Sequence, residues 1–243
     1  EKIDRLERPE GDEKSMHFRF KAAEESGNVV LKVNDAAIGY DDQIIAAPID
    51  FEIRKRQVIA LVGPNGVGKS TLLNILAATM RADSGEVLYG DIDLLKLSNA
   101  ERARYRREKV GYIPQNLYLL DDRNVFMNIA LPLQYSGEKK ERIRKKVEEV
   151  AKWFDIIFLL GKAPQTLSRG EKQRVAICRS IVKIPEILFA DEPTGSLDEE
   201  NEQLVLELFK ALKDQGTTIV LTTHDDSVSQ ICDEVYNIGS LGR

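Results

Sequence analysis

Apolar runs punctuate this chain: Val58-Ile59-Ala60-Leu61-Val62, Ile187-Leu188-Phe189-Ala190 and, in the stretch Thr217 to Leu221, Ile219-Val220-Leu221 behind two threonines. Short runs without polar relief predict strands buried on both faces, as in a parallel sheet. Val110-Gly111-Tyr112-Ile113 and Asp233 to Ile238 add further strands. Ile49, Phe51 and Ile53 instead alternate with Asp50 and Glu52, which predicts a half-exposed antiparallel strand beside Val29-Val30-Leu31-Lys32-Val33. Ser84-Gly85 reads as a turn before a short strand, Glu86 to Tyr89. Helical periodicity marks Ser70 to Met80, Ala100 to Glu108, Lys172 to Val182, and Glu199 to Lys213 with Leu204, Leu208 and Leu212 in register. Strands alternating with helices predict an α/β fold. Residues 116–166 differ, because strand signals vanish there. Ile143, Val147, Val150, Ala151 and Phe154 share one helical face, so an inserted helical lobe is expected. Residues 1–28 are dominated by charge and read as an extension or linker, in which only Met16, Phe18 and Phe20 alternate as a strand would. Residues 240–243 form a tail.

The chemistry gathers where the apolar runs end. Gly63-Pro64-Asn65-Gly66-Val67-Gly68-Lys69-Ser70-Thr71 matches G-x-x-x-x-G-K-[ST], a phosphate loop with a strand before it and a helix behind it. The glycines let backbone N–H groups approach phosphate oxygens, and the helix N-terminus adds positive potential. Lys69 would reach the β- and γ-phosphates, and Ser70 would ligate Mg²⁺. The run Ile187–Ala190 ends in Asp191-Glu192. Acids at that point suit a Mg²⁺ shell, from Asp191, and a water-orienting base, from Glu192. Gln115 and His224 each lie just beyond a strand's carboxyl end, where ligands bind in parallel sheets. Ser196-Leu197-Asp198 follows the acids as a polar turn.

Other features leave alternatives open. Tyr40, in the turn Gly39-Tyr40-Asp41-Asp42, offers a ring face to a purine or is an ordinary surface tyrosine. Ser168, with Glu171 three residues on, is a helix-capping box or, with Gly170, a second phosphate site. Arg102, Arg104, Arg106 and Arg107 are a solvated helix face or a partner patch.

Composition narrows the classes. A net charge of −5 gives no global attraction to nucleic acid or anionic lipid. Cys178 and Cys232 make no disulfide framework and suit a reducing cytoplasm. No apolar run approaches a membrane span, and no signal peptide is expected in so charged an opening.

In this order the motifs resemble the nucleotide-binding domain of ABC ATPases, over about residues 29–239. Tyr40 matches the aromatic A-loop position, Gln115 the Q-loop, Ser168 and Gly170 the signature, Asp191 and Glu192 Walker B, Asp198 the D-loop and His224 the switch histidine. The resemblance implies a P-loop NTPase with a RecA-like core, an antiparallel β subdomain from residues 29–57 and a helical subdomain from 116–166. It implies Mg²⁺-dependent ATP hydrolysis with Gln115 sensing the metal, and head-to-tail pairing that sandwiches ATP between the phosphate loop of one cassette and the signature of the other. It also implies a transmembrane permease as partner and a place at the inner face of the membrane. The signature departs from the family's Leu-Ser-Gly-Gly-Gln, with Arg169 for the first Gly and Glu171 for the Gln. Arg54-Lys55-Arg56-Gln57 also replaces the common Gly-containing turn before the phosphate-loop strand. Residues 77–239 resemble the lipoprotein-release, macrolide-export and cell-division branch, whereas residues 1–68 resemble the second cassette of ABC-F translation factors. That split points to a chimera joined around residues 65–80. No nucleic acid is expected unless the chain acts on the ribosome as ABC-F proteins do; a chimeric cassette that never pairs is the remaining expectation.

Overall fold

A computed structural model describes residues 29–238 except 41–42, 135–136 and 196. The strand expected around Met16 to Phe20, Asp41, Asp42, Ser196 and the tail therefore lie outside the described residues.

Two sheets carry the fold. Strands β1 (Val29–Tyr40), β2 (Gln43–Arg54), β4 (Ser84–Tyr89) and β5 (Ile92–Asp93) form an antiparallel sheet in the order β2-β1-β4-β5. Strands β3 (Val58–Val62), β6 (Val110–Ile113), β7 (Ile187–Asp191), β8 (Thr218–Thr222) and β9 (Glu234–Asn237) form a parallel sheet in the order β6-β7-β8-β3-β9. Within β7, Ile187 and Phe189 face one hydrophobic cluster while Leu188 and Ala190 face the other. The uninterrupted apolar runs thus reflect a sheet covered on both faces. Register aligns the carboxyl ends: Leu61 of β3 and Asp191 of β7 both pair with Thr222 of β8. The phosphate loop, the acidic pair and His224 consequently leave the sheet together, at the carboxyl ends of its three inner strands. β3 precedes the join expected around residues 65–80, yet it lies between β8 and β9, which follow it. Any join would therefore fall within one continuous core.

The antiparallel subdomain is larger than the expected 29–57, because β4 and β5 belong to it. Ser84 and Gly85, read as a turn, are strand residues. Gly85 has φ +89°, and a Cβ there would meet the Asp35 carbonyl oxygen at 2.4 Å, so glycine lets β4 approach an irregular stretch of β1. β1 itself continues past Val33 to Tyr40, through register shifts against β2.

Helix α1 (Lys69–Leu76) stops short of the expected Met80. Ala78 turns left-handed at φ +54°; its N–H bonds Ile75 O at 2.9 Å, and the Thr79 N–H bonds Asn74 O at 2.9 Å. This is a Schellman closure made without glycine. Helix α2 (Asn99–Lys109) braces it. The buried Arg102 donates to the carbonyls of Ala78 and Met80, and Arg106 donates to Ala78. Half of the expected basic face is therefore a C-terminal clamp on α1; Arg104 and Arg107 remain exposed.

The helical lobe comprises α3 (Val125–Ala130) and α4 (Lys140–Trp153), packed on α5 (Arg169–Ile181). Val147, Ala151 and Phe154 are buried as expected, with Ile143 and Val150 half-buried against them. On α6 (Glu199–Asp214) the buried face is Val205, Leu206, Leu208, Phe209 and Leu212. Leu204, expected in that register, is only half-buried, because Val205 and Phe209 turn the apolar stripe by one position. The sequence pattern gave no sign of α7 (Asp226–Gln230).

Candidate functional site

The loop between β3 and α1 is shaped by Gly63, Gly66 and Gly68, at φ +144°, +83° and +88°. Gly68 is the N-cap of α1 and no side chain caps that helix. An uncapped helix start of this kind is where an anion binds. Pro64, Asn65 and Val67 complete the turn, and Thr71 is buried in the first helical turn. The largely buried Lys69 lays its Nζ against the carbonyls of Gly63 at 2.5 Å and Pro64 at 3.2 Å. Burial pushes its ammonium below the usual lysine range, while Glu192 and Asp191 pull it back up.

Three further stretches gather around this lysine and its neighbour Ser70. His224 Nε2 lies 3.1 Å from Lys69 Nζ and 3.0 Å from Glu192 Oε1. Gln115 Nε2 donates to Glu192 Oε2 at 3.0 Å. The Ser70 hydroxyl donates to Asp191 Oδ1 at 3.0 Å. Glu192 holds a left-handed backbone at φ +48°, a conformation costly for a residue with a Cβ and concentrated at functional sites. A cleft of about 450 Å³, lined by Glu192, Thr194, Gly195, Thr223, His224 and Asp225, opens beside the cluster. A more apolar groove of about 350 Å³ between α4, α5 and α6 contains none of these groups. The Ser70 hydroxyl beside the Asp191 carboxylate fits a Mg²⁺ held by few protein groups together with phosphate oxygens and water.

Ser168 and Gly170 do not join this cluster. They open α5, where the capping box is fully formed: the Ser168 N–H donates to Glu171 Oε2 at 2.7 Å, and the Glu171 N–H donates to Ser168 Oγ at 3.2 Å. Glu171, in place of the family's glutamine, is held below the usual carboxylate range by the Ser168 N–H. Nothing lies within 4 Å of where a Gly170 Cβ would sit, so that face of α5 is open. Asp198 likewise caps α6, accepting from the Asn201 N–H at 2.9 Å. Tyr40 ends β1, and its side chain lies outside the described residues.

Sequence reasoning missed two site-forming residues. Arg179 of α5 donates to the carbonyls of Leu117 and Tyr118 at 2.7 and 2.8 Å, holding the segment after Gln115. Thr222 donates to Asp191 Oδ1 at 2.7 Å. A hydroxyl closing the run Ile219-Val220-Leu221 was the available signal for Thr222; an arginine inside a helix gave none for Arg179.

The family described as ABC transporter matches residues 46–195. The macrolide export ATP-binding/permease protein MacB of Campylobacter jejuni is 34% identical over 197 residues, 81% of this chain and 31% of that protein. This chain therefore spans about a third of the length of that relative. The ABC transporter ATP-binding protein YvrO of Bacillus subtilis is 35% identical over 201 residues, 83% of this chain and 88% of YvrO. Among solved structures, the dimeric bacterial ABC transporter cassette MJ0796 superposes with a TM-score of 0.82 at 29% identity, over 86% of this chain and 94% of that one. Its dimeric post-hydrolysis state, bound to ADP and Pi, superposes at 0.81. The MacB match agrees with the branch that residues 77–239 resemble.

Proposed function

We propose, from the membership of this chain in the ABC transporter family, that it binds and hydrolyses Mg·ATP as the motor of a transporter. The convergence of Lys69, Asp191, Glu192, Gln115 and His224 at the carboxyl ends of the parallel strands carries this reading.

Backbone N–H groups of the Gly63–Thr71 loop bind the phosphate chain, with Lys69 neutralising charge on the β- and γ-oxygens. Ser70 and Asp191 would hold a Mg²⁺, which would supply further neutralisation of the phosphate charge. Glu192 orients a water and takes its proton as the water oxygen bonds to the γ-phosphorus. The bond to the β-bridging oxygen breaks, releasing ADP and phosphate. His224 contacts the γ-phosphate, Gln115 reports on the metal, and Tyr40 stacks on adenine. Ser168, Gly170 and Asp198 complete the same site from a second cassette. The dimeric form of MJ0796 supports that pairing. The partner would be a membrane permease, docking near Gln115 and the helical lobe; MacB, named as an ATP-binding/permease protein, supports this. Among the described residues no helix is long and apolar enough to cross a membrane, so the permease would bring this chain to the membrane's inner face.

The test is Mg²⁺-dependent ATPase activity across protein concentrations, wild type against Glu192→Gln. Paired sites make the rate rise more steeply than linearly with protein. Loss of the base lowers it by about 100-fold or more, and the variant accumulates as a dimer in gel filtration with ATP. A wild type inert to Mg·ATP, or an unimpaired Glu192→Gln, rejects the proposal.

A further inference from the structure

Thr222 stands between the two acids that the proposed reaction needs in different roles. It is the last residue of β8, fully buried, and pairs in register with Asp191. Its hydroxyl donates to Asp191 Oδ1 at 2.7 Å. The same oxygen accepts the Glu192 N–H at 3.0 Å, and the Thr222 carbonyl accepts that N–H at 3.2 Å. One hydroxyl therefore uses its proton on the first acid and a lone pair on the second. The neighbouring residues of β8, Ile219, Val220 and Leu221, are apolar and fully buried. A buried hydroxyl in that setting is stable only with its partners in place.

Each bond has a consequence. Asp191 Oδ1 receives two hydroxyls, from Ser70 and Thr222, which fixes the plane of the carboxylate. Glu192 sits at φ +48°, and its N–H is held at that turn by both the hydroxyl and the carbonyl of Thr222. That turn aims the Glu192 carboxylate between Gln115 and His224.

We propose that Thr222 is a positioning residue: its hydroxyl orients the Asp191 carboxylate toward a divalent cation and fixes the left-handed turn that presents Glu192 to the attacking water. The inference rests on the proposed ATPase reading. It goes further by assigning the cation shell and the base one common support, which ties the cation requirement to turnover.

The test replaces the hydroxyl by a methyl group of similar size, Thr222→Val, beside Thr222→Ser, which keeps it. The first readout needs no turnover: affinity for a non-hydrolysable ATP analogue, with Mg²⁺ titrated and with EDTA. In Thr222→Val the half-saturating Mg²⁺ rises by about tenfold or more, the range expected when the support of a metal ligand is lost. Affinity in EDTA stays near wild type, because the phosphate loop is untouched. In turnover, kcat falls by about tenfold with little change in KM for nucleotide, the sign of a role in the transition state. Thr222→Ser recovers most of both losses. Should Thr222→Val fail to fold, Thr222→Cys gives the same comparison, since its weak S–H donor yields a partial loss in the same direction. An unchanged Mg²⁺ requirement in Val or Cys, or a serine variant as impaired as valine, overturns the assignment. A wild type that ignores Mg·ATP altogether rejects the ATPase reading instead.

Discussion

The two ends of the proposed nucleotide sandwich are built on opposite principles. At the phosphate-loop end, contacts join residues far apart in sequence: Lys69 to His224, Gln115 to Glu192, Ser70 to Asp191. Each needs strands distant in sequence to lie side by side: β3 and β8 for the first, β6 and β7 for the second, and β3, β8 and β7 for the third. At the start of α5, Ser168 and Glu171 satisfy each other within a single helical turn. The first end exists only as a product of the fold. The second is complete as local structure, and its proposed ligand would come from another copy. One geometry therefore states its chemistry outright, while the other is equally well formed whether or not it meets a phosphate.

Removing Lys69 breaks the long-range end most severely. Lys69→Ala takes away the cation facing the phosphates and leaves Glu192 and His224 without their lysine neighbour. Loss of one such charge-stabilising group lowers kcat/KM by about 100-fold or more. The capping box of α5 lies outside this cluster, so circular dichroism should show the helix content unchanged. Wild-type turnover in Lys69→Ala would detach the loop from the chemistry.

The same contrast explains what was legible in the sequence. The phosphate loop, Asp191-Glu192 and the capping box are local patterns, and each lies where its pattern placed it. The apolar runs of β3, β7 and β8 also revealed the parallel sheet, because burial on both faces selects apolar residues through the middle of each strand. What stayed hidden depended on a neighbour. Gly85 looks like a turn until β1 is set against it. Arg102 and Arg106 look solvated until α1 ends beneath them. Thr222 looks like one more β-branched strand residue until β7 puts an acid opposite its hydroxyl. The short α7 has too few residues to set up a period.

A cap and a phosphate site make different demands at Ser168, and a substitution can separate them. Ser168→Ala removes the acceptor for the Glu171 N–H and costs about 1 kcal/mol of stability. Ser168→Asp caps about as well but places a negative charge where the other copy's phosphates would sit. The expected result is a melting temperature close to wild type with ATPase activity reduced by about tenfold or more. If Ser168→Asp keeps both, the start of α5 is a cap and nothing else.

The smallest expected effect concerns acidity at that cap. The Ser168 N–H holds the Glu171 carboxyl below its ordinary value of 4.5. A depressed carboxyl stabilises the fold above the unfolded value, and that contribution disappears as pH falls through the folded one. Glu171→Gln keeps an amide oxygen for the same N–H but carries no charge to lose. Above about pH 5 wild type should therefore melt higher than the variant, by about 1 °C, since a charge exposed at a helix start contributes little. Toward pH 3 the two curves should meet. Asp198 at the start of α6 is depressed by the same kind of bond, from the Asn201 N–H, and leaves both proteins a residual slope. The Lys69 cluster is untouched by this change, so the Mg²⁺ requirement of Glu171→Gln should match wild type. A shift in that requirement would mean that the two ends communicate within one chain, and the separation drawn between them would fail.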